Sequence, residues 1–244
     1  IVNLAGESVA QRWNAKRKAE MRRSRVDLPH AFLLALEGLD WRPKAYLSAS
    51  AIGYYGTSES AAFVETNGPG TDFLAELCVA WEAEADRAAA LGMRVAKIRT
   101  GLVLGTDGGA LPRLVQPFRL GVGGIVGSGR QWYSWIHIDD LVGIYLHALD
   151  GADGVLNGTA PNPVRNADFA RALGAVLHRP TVFPAPAFAI EALFGEGATM
   201  VVEGQRVLPE RTLASGYRFS YETIERALAS LLDPAIADAS SSSR

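Results

Sequence analysis

Three short runs in this 244-residue sequence combine small side chains with hydroxyl groups: Ala5-Gly6, Ser48-Ala49-Ser50 and Thr100-Gly101. Small side chains let a ligand approach the backbone, and a serine or threonine hydroxyl both donates and accepts a hydrogen bond. Each run follows an apolar stretch, the pattern of a buried strand that stops where something comes close to the main chain. A single turn of this kind reflects only the preference of strand-to-helix connections for small residues. Three in succession favour a ligand crevice. Metal chemistry is not indicated, because His30, His137, His147, His178 and the lone Cys78 show no metal-ligand spacing.

The elements that must position these runs are legible from periodicity. Ile1-Val2-Asn3-Leu4 predicts a strand, and residues 14–39 carry apolar residues at helical intervals, with Pro29 as a kink or break. Residues 44–48 predict a second strand, and a loop rich in Gly, Ser, Asn and Pro runs on to Gly70. Thr71 is the expected N-cap of a helix over residues 72–91, and residues 93–99 form a third strand. Strand, helix, strand, helix, strand at this spacing predicts a doubly wound parallel α/β sheet, which binds ligands at the carboxyl ends of its strands. A glycine-dense stretch follows, then a helix over 139–149, a strand, a helix capped near Asn166, a Pro-rich segment and a last helix over 221–232. The closing "ADASSSSR" reads as a disordered tail.

Bulk properties narrow the classes. Hydrophobic residues at 48% and charged residues at 20% suit a globular domain with a sizeable core, and a net charge of −2 sets up no field toward nucleic acid or anionic lipid. No apolar run approaches a membrane span and no secretory leader pattern is present, so a cytoplasmic location is expected. The segment "RWNAKRKAEMRRSR" holds seven basic residues against one acid but lacks interleaved aromatics, and reads as a solvated helix face rather than a nucleic-acid surface. The glycines from Gly121 to Gly129 lack phosphate-loop spacing and read as a flexible turn over a substrate cleft.

Five segments, "VNLAGE", "YLSASAIGYYG", "KIRTGLVLG", "GSGRQWYSWIHIDDL" and "GVLNGTAPNPVRNADFARAL", resemble in order the motifs of the extended short-chain dehydrogenase/reductase superfamily, the nucleotide-sugar epimerase and dehydratase group. "LCVAWE", "PVRN" and "GQRVLP" are similar to a subgroup of epimerase-family proteins with a distinctive C-terminal extension. The resemblance implies a Rossmann-like domain over 1–150, a linking strand and helix over 151–180, the extension over 181–233 and the tail over 234–244. It implies NADP or NAD as cofactor, with NADP favoured, held by Asn3, Leu4, Ala5, Gly6, Ser48, Ala49, Ser50, Arg99, Thr100, Gly101, Leu102 and Val103. The glycine-rich phosphate turn of that superfamily is not among these residues, so a preceding region of roughly 60 residues is expected.

The superfamily's Tyr-x-x-x-Lys pair is also missing. Anchoring the helix on Glu82 places Leu74 at the Tyr position and Cys78 at the Lys position, and Ala51 stands where the substrate-binding hydroxyl belongs. The substitutes nearby are Ser50, Tyr54, Tyr55, Glu76 and Cys78, with one of the tyrosines expected to be a packing aromatic and Glu76 a helix-terminus charge. Cys78 is expected to be partly buried and unpaired. Tyr133 replaces the arginine that grips a nucleotide diphosphate, and Arg130 is either a substitute or a surface residue. The expected function is an NAD(P)(H)-binding oxidoreductase or epimerase-like protein acting on a non-nucleotide small molecule. The alternative is a dinucleotide-binding sensor or scaffold that has lost catalysis. No nucleic-acid or membrane partner is expected, and the oligomeric state is left open.

Overall fold

The computed structural model describes residues 1–181 and 195–233. After β1 (Val2–Asn3) comes α1 (Ala15–Arg22), where the Asn14 carboxamide accepts the Arg17 N–H at 2.9 Å. The helical stretch does not break at Pro29. It is interrupted earlier by a π-helical turn, Arg23–Asp27, and α2 (Leu28–Glu37) then carries Pro29 in its first turn, where a missing N–H is tolerated. Next come β2 (Ala45–Ala51), a 3₁₀ turn (Ile52–Tyr55), β3 (Ala62–Phe63) and the long α3 (Phe73–Ala90). The cap of α3 is Asp72 rather than Thr71, because the Asp72 carboxylate accepts the Ala75 N–H at 2.9 Å.

The chain continues through β4 (Arg94–Thr100), β5 (Leu102–Leu104), α4 (Leu111–Arg119), β6 (Trp132–Tyr133), β7 (Trp135–His137) and α5 (Ile138–Asp150). It then forms β8 (Gly154–Gly158), β9 (Val164–Arg165), α6 (Asn166–Val176), α7 (Thr199–Val202), β10 (Arg206–Val207), α8 (Glu210–Ala214) and α9 (Ile224–Leu232). The cap expected near Asn166 is Arg165, and the Asn166 carboxamide instead accepts the Val126 N–H at 2.9 Å. The expected tail over 234–244, and much of the Pro-rich segment, lie outside the described residues.

The main sheet is parallel throughout, in the order β1-β2-β4-β8. Both faces are covered, so its strands are nearly continuous apolar runs. One face packs Tyr46 and Met93 against Leu33, Leu36, Ala85 and Ala88 of α2 and α3. The other packs Leu47, Ala96, Ile98 and Leu156 against Ile144 and Ala148 of α5. A further core joins α4, α6 and α9 through Leu111, Phe118, Phe169, Leu173 and Leu228 around the buried Trp135. Three two-stranded ribbons tie these parts together: β5 with β7, β6 with β9, and β3 with β10. The last is parallel and joins residues 62–63 to 206–207, so the C-terminal portion returns to the loop that leaves β2.

Candidate functional site

The register of the sheet gathers the predicted residues at one edge. Asn3 lies opposite Ser48, Ser48-Ala49-Ser50 lies opposite Lys97-Ile98-Arg99, and Thr100 lies opposite Gly158. All are at or near the carboxyl ends of parallel strands. The side chains then divide by the alternation of the strand. Leu4, Ala5 and Gly6 are exposed, and Ala49, Ala51, Tyr54, Thr100, Gly101, Leu102 and Val103 are half-buried. Ser48, Ser50, Tyr55, Cys78 and Arg99 are buried.

The buried set is a connected charge network. Ser50 and Arg99, register partners on β2 and β4, point toward α3, and both meet Glu82 there. The Ser50 hydroxyl donates to Glu82 Oε1 at 2.7 Å, while Arg99 donates from Nε to Oε1 at 2.7 Å and from Nη2 to Oε2 at 2.8 Å. This is the bidentate fork that makes arginine–carboxylate pairs strong. Arg99 Nη1 donates to the Tyr55 hydroxyl at 3.0 Å, which in turn donates to Asn157 Oδ1 at 2.8 Å. The guanidinium carbon sits 3.3 Å from the centroid of the Tyr54 ring, a cation–π stack that orients the half-buried phenol.

The network continues into the C-terminal portion. Asn157 Nδ2 donates to Leu208 O at 2.9 Å. Its backbone N–H goes to the buried Glu65 carboxylate at 3.0 Å, which also accepts the N–H groups of Arg211 and Thr212 at 3.1 and 3.2 Å. Glu65 therefore anchors the loop after β3 on the amino end of α8. Gln205 Nε2 donates to Ile52 O at 2.9 Å and pins the turn that carries Tyr54 and Tyr55.

Environment fixes the state of several groups. Burial works against the charge on Arg99, but the hydrogen-bonded Glu82 and then Tyr55 outweigh it and hold the guanidinium pKa above its ordinary value. Burial raises Tyr55 more than Arg99 and Asn157 lower it, so its phenol is neutral near pH 7. Burial, reinforced by Glu82, pushes the Cys78 thiol up to about 12. Cys78 is 3% exposed and donates weakly to Ala51 O at 3.7 Å. It is free of any disulfide, and more deeply buried than the sequence led us to expect.

Other candidates have local roles. Asn3 donates to the Tyr46 hydroxyl at 2.9 Å and accepts the Ala5 N–H at 3.2 Å, shaping the turn after β1. The Ser48 hydroxyl donates to Ala49 O. Gly101 is glycine because a Cβ would stand 2.2 Å from Ser134 O, where β5 leaves the sheet to join β7. Arg130 pairs with Glu59 at 2.7 Å on the surface, and Tyr133 is buried. A cleft of about 300 Å³ beyond β5 is lined by Val103, Gly105–Gly109 and Ile138. A second, of about 340 Å³, lies at the amino end of β8 beside Asp153 and Arg211, away from the strand-end edge. Among the described residues no cluster of His, Cys, Asp and Glu could hold a metal ion, and no helix is long and apolar enough to cross a membrane.

Sequence reasoning used Glu82 only to align α3 and overlooked Glu65 and Asn157. The signal for Glu82 was present: an acid on the apolar face shared by Leu77, Cys78, Trp81 and Ala85 must find a buried partner. Glu65, in an irregular loop, carries no such signal.

A parallel sheet with helices on both faces and open, small-residue strand ends along one edge defines a Rossmann-like protein of the dinucleotide-binding type. Residues 1–162 match the model of the NAD dependent epimerase/dehydratase family, and residues 185–231 match a domain of unknown function, DUF1731. The chain belongs to the NAD dependent epimerase/dehydratase family. It is 46% identical to the chloroplastic epimerase family protein SDR39U1 homolog of Arabidopsis thaliana, across 95% of this chain and 68% of that one. It is 42% identical to the human epimerase family protein SDR39U1, across 93% of this chain and 80% of the relative. The crystal structure of human SDR39U1 (isoform 2) with NADPH superposes with a TM-score of 0.90 at 40% identity, covering 96% of this chain and 81% of that one. A Bacillus cereus UDP-glucuronic acid 4-epimerase, at 16% identity and TM-score 0.75, shares the fold.

Proposed function

We propose that this chain binds NADP(H) or NAD(H), with NADP(H) favoured, along the carboxyl edge of β1, β2 and β4. There it acts as an oxidoreductase or epimerase on a small molecule that is not a nucleotide sugar. The observation that carries the reading is the division of that edge: small residues, the exposed Ala5 and Gly6 and the half-buried Ala49 and Ala51, line one side while a satisfied charge network stiffens the inside. The human relative holding NADPH supports the cofactor assignment. When bound, a nicotinamide supplies or accepts a hydride.

The residues present fit such a group at the edge, where Ala5, Gly6, Ala49 and Ala51 present nothing larger than a methyl group to a flat ring. Ser50, Tyr55 and Arg99 position; their polar atoms are engaged with one another and with Glu82 and Asn157. Tyr54 is the half-exposed phenol, fixed by Arg99 beneath its ring, and is assigned to donate or accept the substrate proton. Cys78, buried and neutral, takes no part. The surface pairing of Arg130 and the burial of Tyr133 leave the diphosphate grip unfilled, which supports a non-nucleotide substrate. The single buried thiol suits a reducing, cytoplasmic compartment.

A second reading has its own observation. Every polar group at the inner end of β2 is committed internally, as a dinucleotide-binding sensor without chemistry requires. Calorimetric titration with NADPH and NADH, paired with a panel of carbonyl and alcohol substrates on Tyr54→Phe, Ser50→Ala, Tyr55→Phe and Cys78→Ala variants, decides the matter. Binding by all, with turnover lost in Tyr54→Phe and kept in Cys78→Ala, upholds the enzyme reading. Binding with no turnover anywhere upholds the sensor, and no binding of either nucleotide refutes both.

A further inference from the structure

Beside the turn after β1, two hydrogen-bond donors lie together and, among the described residues, find at most one long contact between them. Arg25 projects from the π-helical turn, and its guanidinium carbon sits 5.0 Å from the centroid of the Trp81 ring on α3. Among the described residues it enters no ion pair, and its one hydrogen bond is a long contact of 3.4 Å to Ser24 Oγ. Trp81 is 5% exposed, and among the described residues its indole N–H has no acceptor. An indole nitrogen can only donate, and a buried one normally finds a partner. The neighbouring basic residues Arg17 and Lys18, by contrast, each hold a glutamate.

We propose that Arg25 and Trp81 form an oxyanion-recognition point at the carboxyl end of β1, which takes phosphate or carboxylate oxygens of the molecule bound along that edge. The fork of a guanidinium accepts two such oxygens side by side, and the indole N–H supplies a further donor. Local structure prepares the position. Gly6 has no side chain, and a Cβ there would meet Arg25 Cζ and Nη2 at 2.9 Å, so the guanidinium lies directly against the β1 turn. Arg25 lies within the π turn between α1 and α2, a distortion found often at functional sites. Burial lowers the pKa of Arg25, and the charges of Cys78 and Glu7 nearby only partly offset it.

The inference rests on the proposed dinucleotide reading only for the source of the oxyanion: a cofactor phosphate or the carboxylate of a substrate. The test follows the indole ¹H–¹⁵N resonance of Trp81, assigned with Trp81→Phe, while the protein is titrated with NADPH, inorganic pyrophosphate and acetate. The resonance is expected to move with at least one probe; movement with NADPH and pyrophosphate names phosphate, and movement with acetate alone names carboxylate. Arg25→Gln is expected to abolish the movement and weaken binding of that probe about 10- to 100-fold, with Arg25→Lys in between. Should Arg25→Gln fail to fold, Trp81→Phe, which keeps the packing and drops the N–H, must weaken the same probe several-fold. A resonance unmoved by all three probes, or unchanged affinity in these variants, overturns the proposal and leaves Arg25 as a packing cation. Calorimetric absence of NADPH binding with a persistent pyrophosphate or acetate response would defeat the dinucleotide reading and leave the oxyanion site standing.

Discussion

Replacing Arg99 with methionine tests the central electrostatic claim. The Arg99 and Glu82 side chains are 3% and 8% exposed, so solvent does little to screen them. Methionine fills much of the volume but leaves the Glu82 carboxylate buried with, among the described residues, only the Ser50 hydroxyl as donor. Breaking a buried pair from one side costs about 3–5 kcal/mol, because the remaining charge has lost its compensation. For a chain of this size that corresponds to a fall in melting temperature of roughly 6–20 °C. Urea unfolding and thermal melts followed by circular dichroism provide the measurement. Glu82→Leu alone should be similarly damaging, since it strands the guanidinium. The double variant Glu82→Leu/Arg99→Met should lose clearly less than the sum, because an apolar pair of similar volume replaces a buried ion pair at little net cost. The expected coupling is about 2–3 kcal/mol. Additive single effects, with coupling below about 0.5 kcal/mol, would refute the claim that these side chains act as one unit.

Cys78, with its thiol near 12, should react with iodoacetamide at pH 8 on the order of a thousandfold more slowly in the native protein than in urea; equal rates by mass spectrometry would contradict its burial. Gly101→Ala drives a Cβ to 2.2 Å from Ser134 O and should cost about 2 kcal/mol or more. Gly68→Ala, with nothing within 4 Å, is the neutral control. His137 has its pKa lowered by burial, only partly offset by Asp139 and Asp140. Between its lowered folded pKa and the ordinary value of 6.5 the unfolded chain therefore binds more protons, so the stability contributed by neutral His137 is full above pH about 6.5 and lost as pH falls below it toward the folded pKa. His137→Asn, which retains an acceptor for the Asp139 N–H, should flatten that part of the pH–stability curve; an unchanged slope in urea midpoints between pH 7.5 and 5 would exclude it.

The strands and long helices were legible because both faces of the sheet are covered, which leaves apolar runs, and because α3 keeps helical spacing for eighteen residues. The convergence of the three small-residue runs followed from parallel topology alone. One-residue offsets were not legible: Thr71 and Asp72 are both good caps, and only the contact to Ala75 N–H separates them. The π turn left no mark, since neither Gly nor Pro announces it within "RSRVD". At the candidate site, residue types were visible but their commitments were not. Arg99 read as a cofactor contact because nothing local ties it to Glu82, seventeen residues earlier on another element. The pairing of β3 with β10 is further still from any local pattern, because it joins segments more than 140 residues apart.

That distant pairing bears on how the protein is made. The turn carrying Tyr54 and Tyr55 is made well before Gln205, 153 residues on from Ile52, which pins it, and before Leu208, Arg211 and Thr212, which hold Asn157 and Glu65. At about 5–20 residues per second, the interval is on the order of ten seconds. During it the sheet can form, while Glu65 has no helix end to cap and the edge of β3 stands unpaired. A chain released short of residue 205 would keep the Ser50–Glu82–Arg99 network but lack the Gln205 bond that pins the turn after β2. The set of that turn is thus fixed only once residues 205–212 have been made, long after the strand it follows.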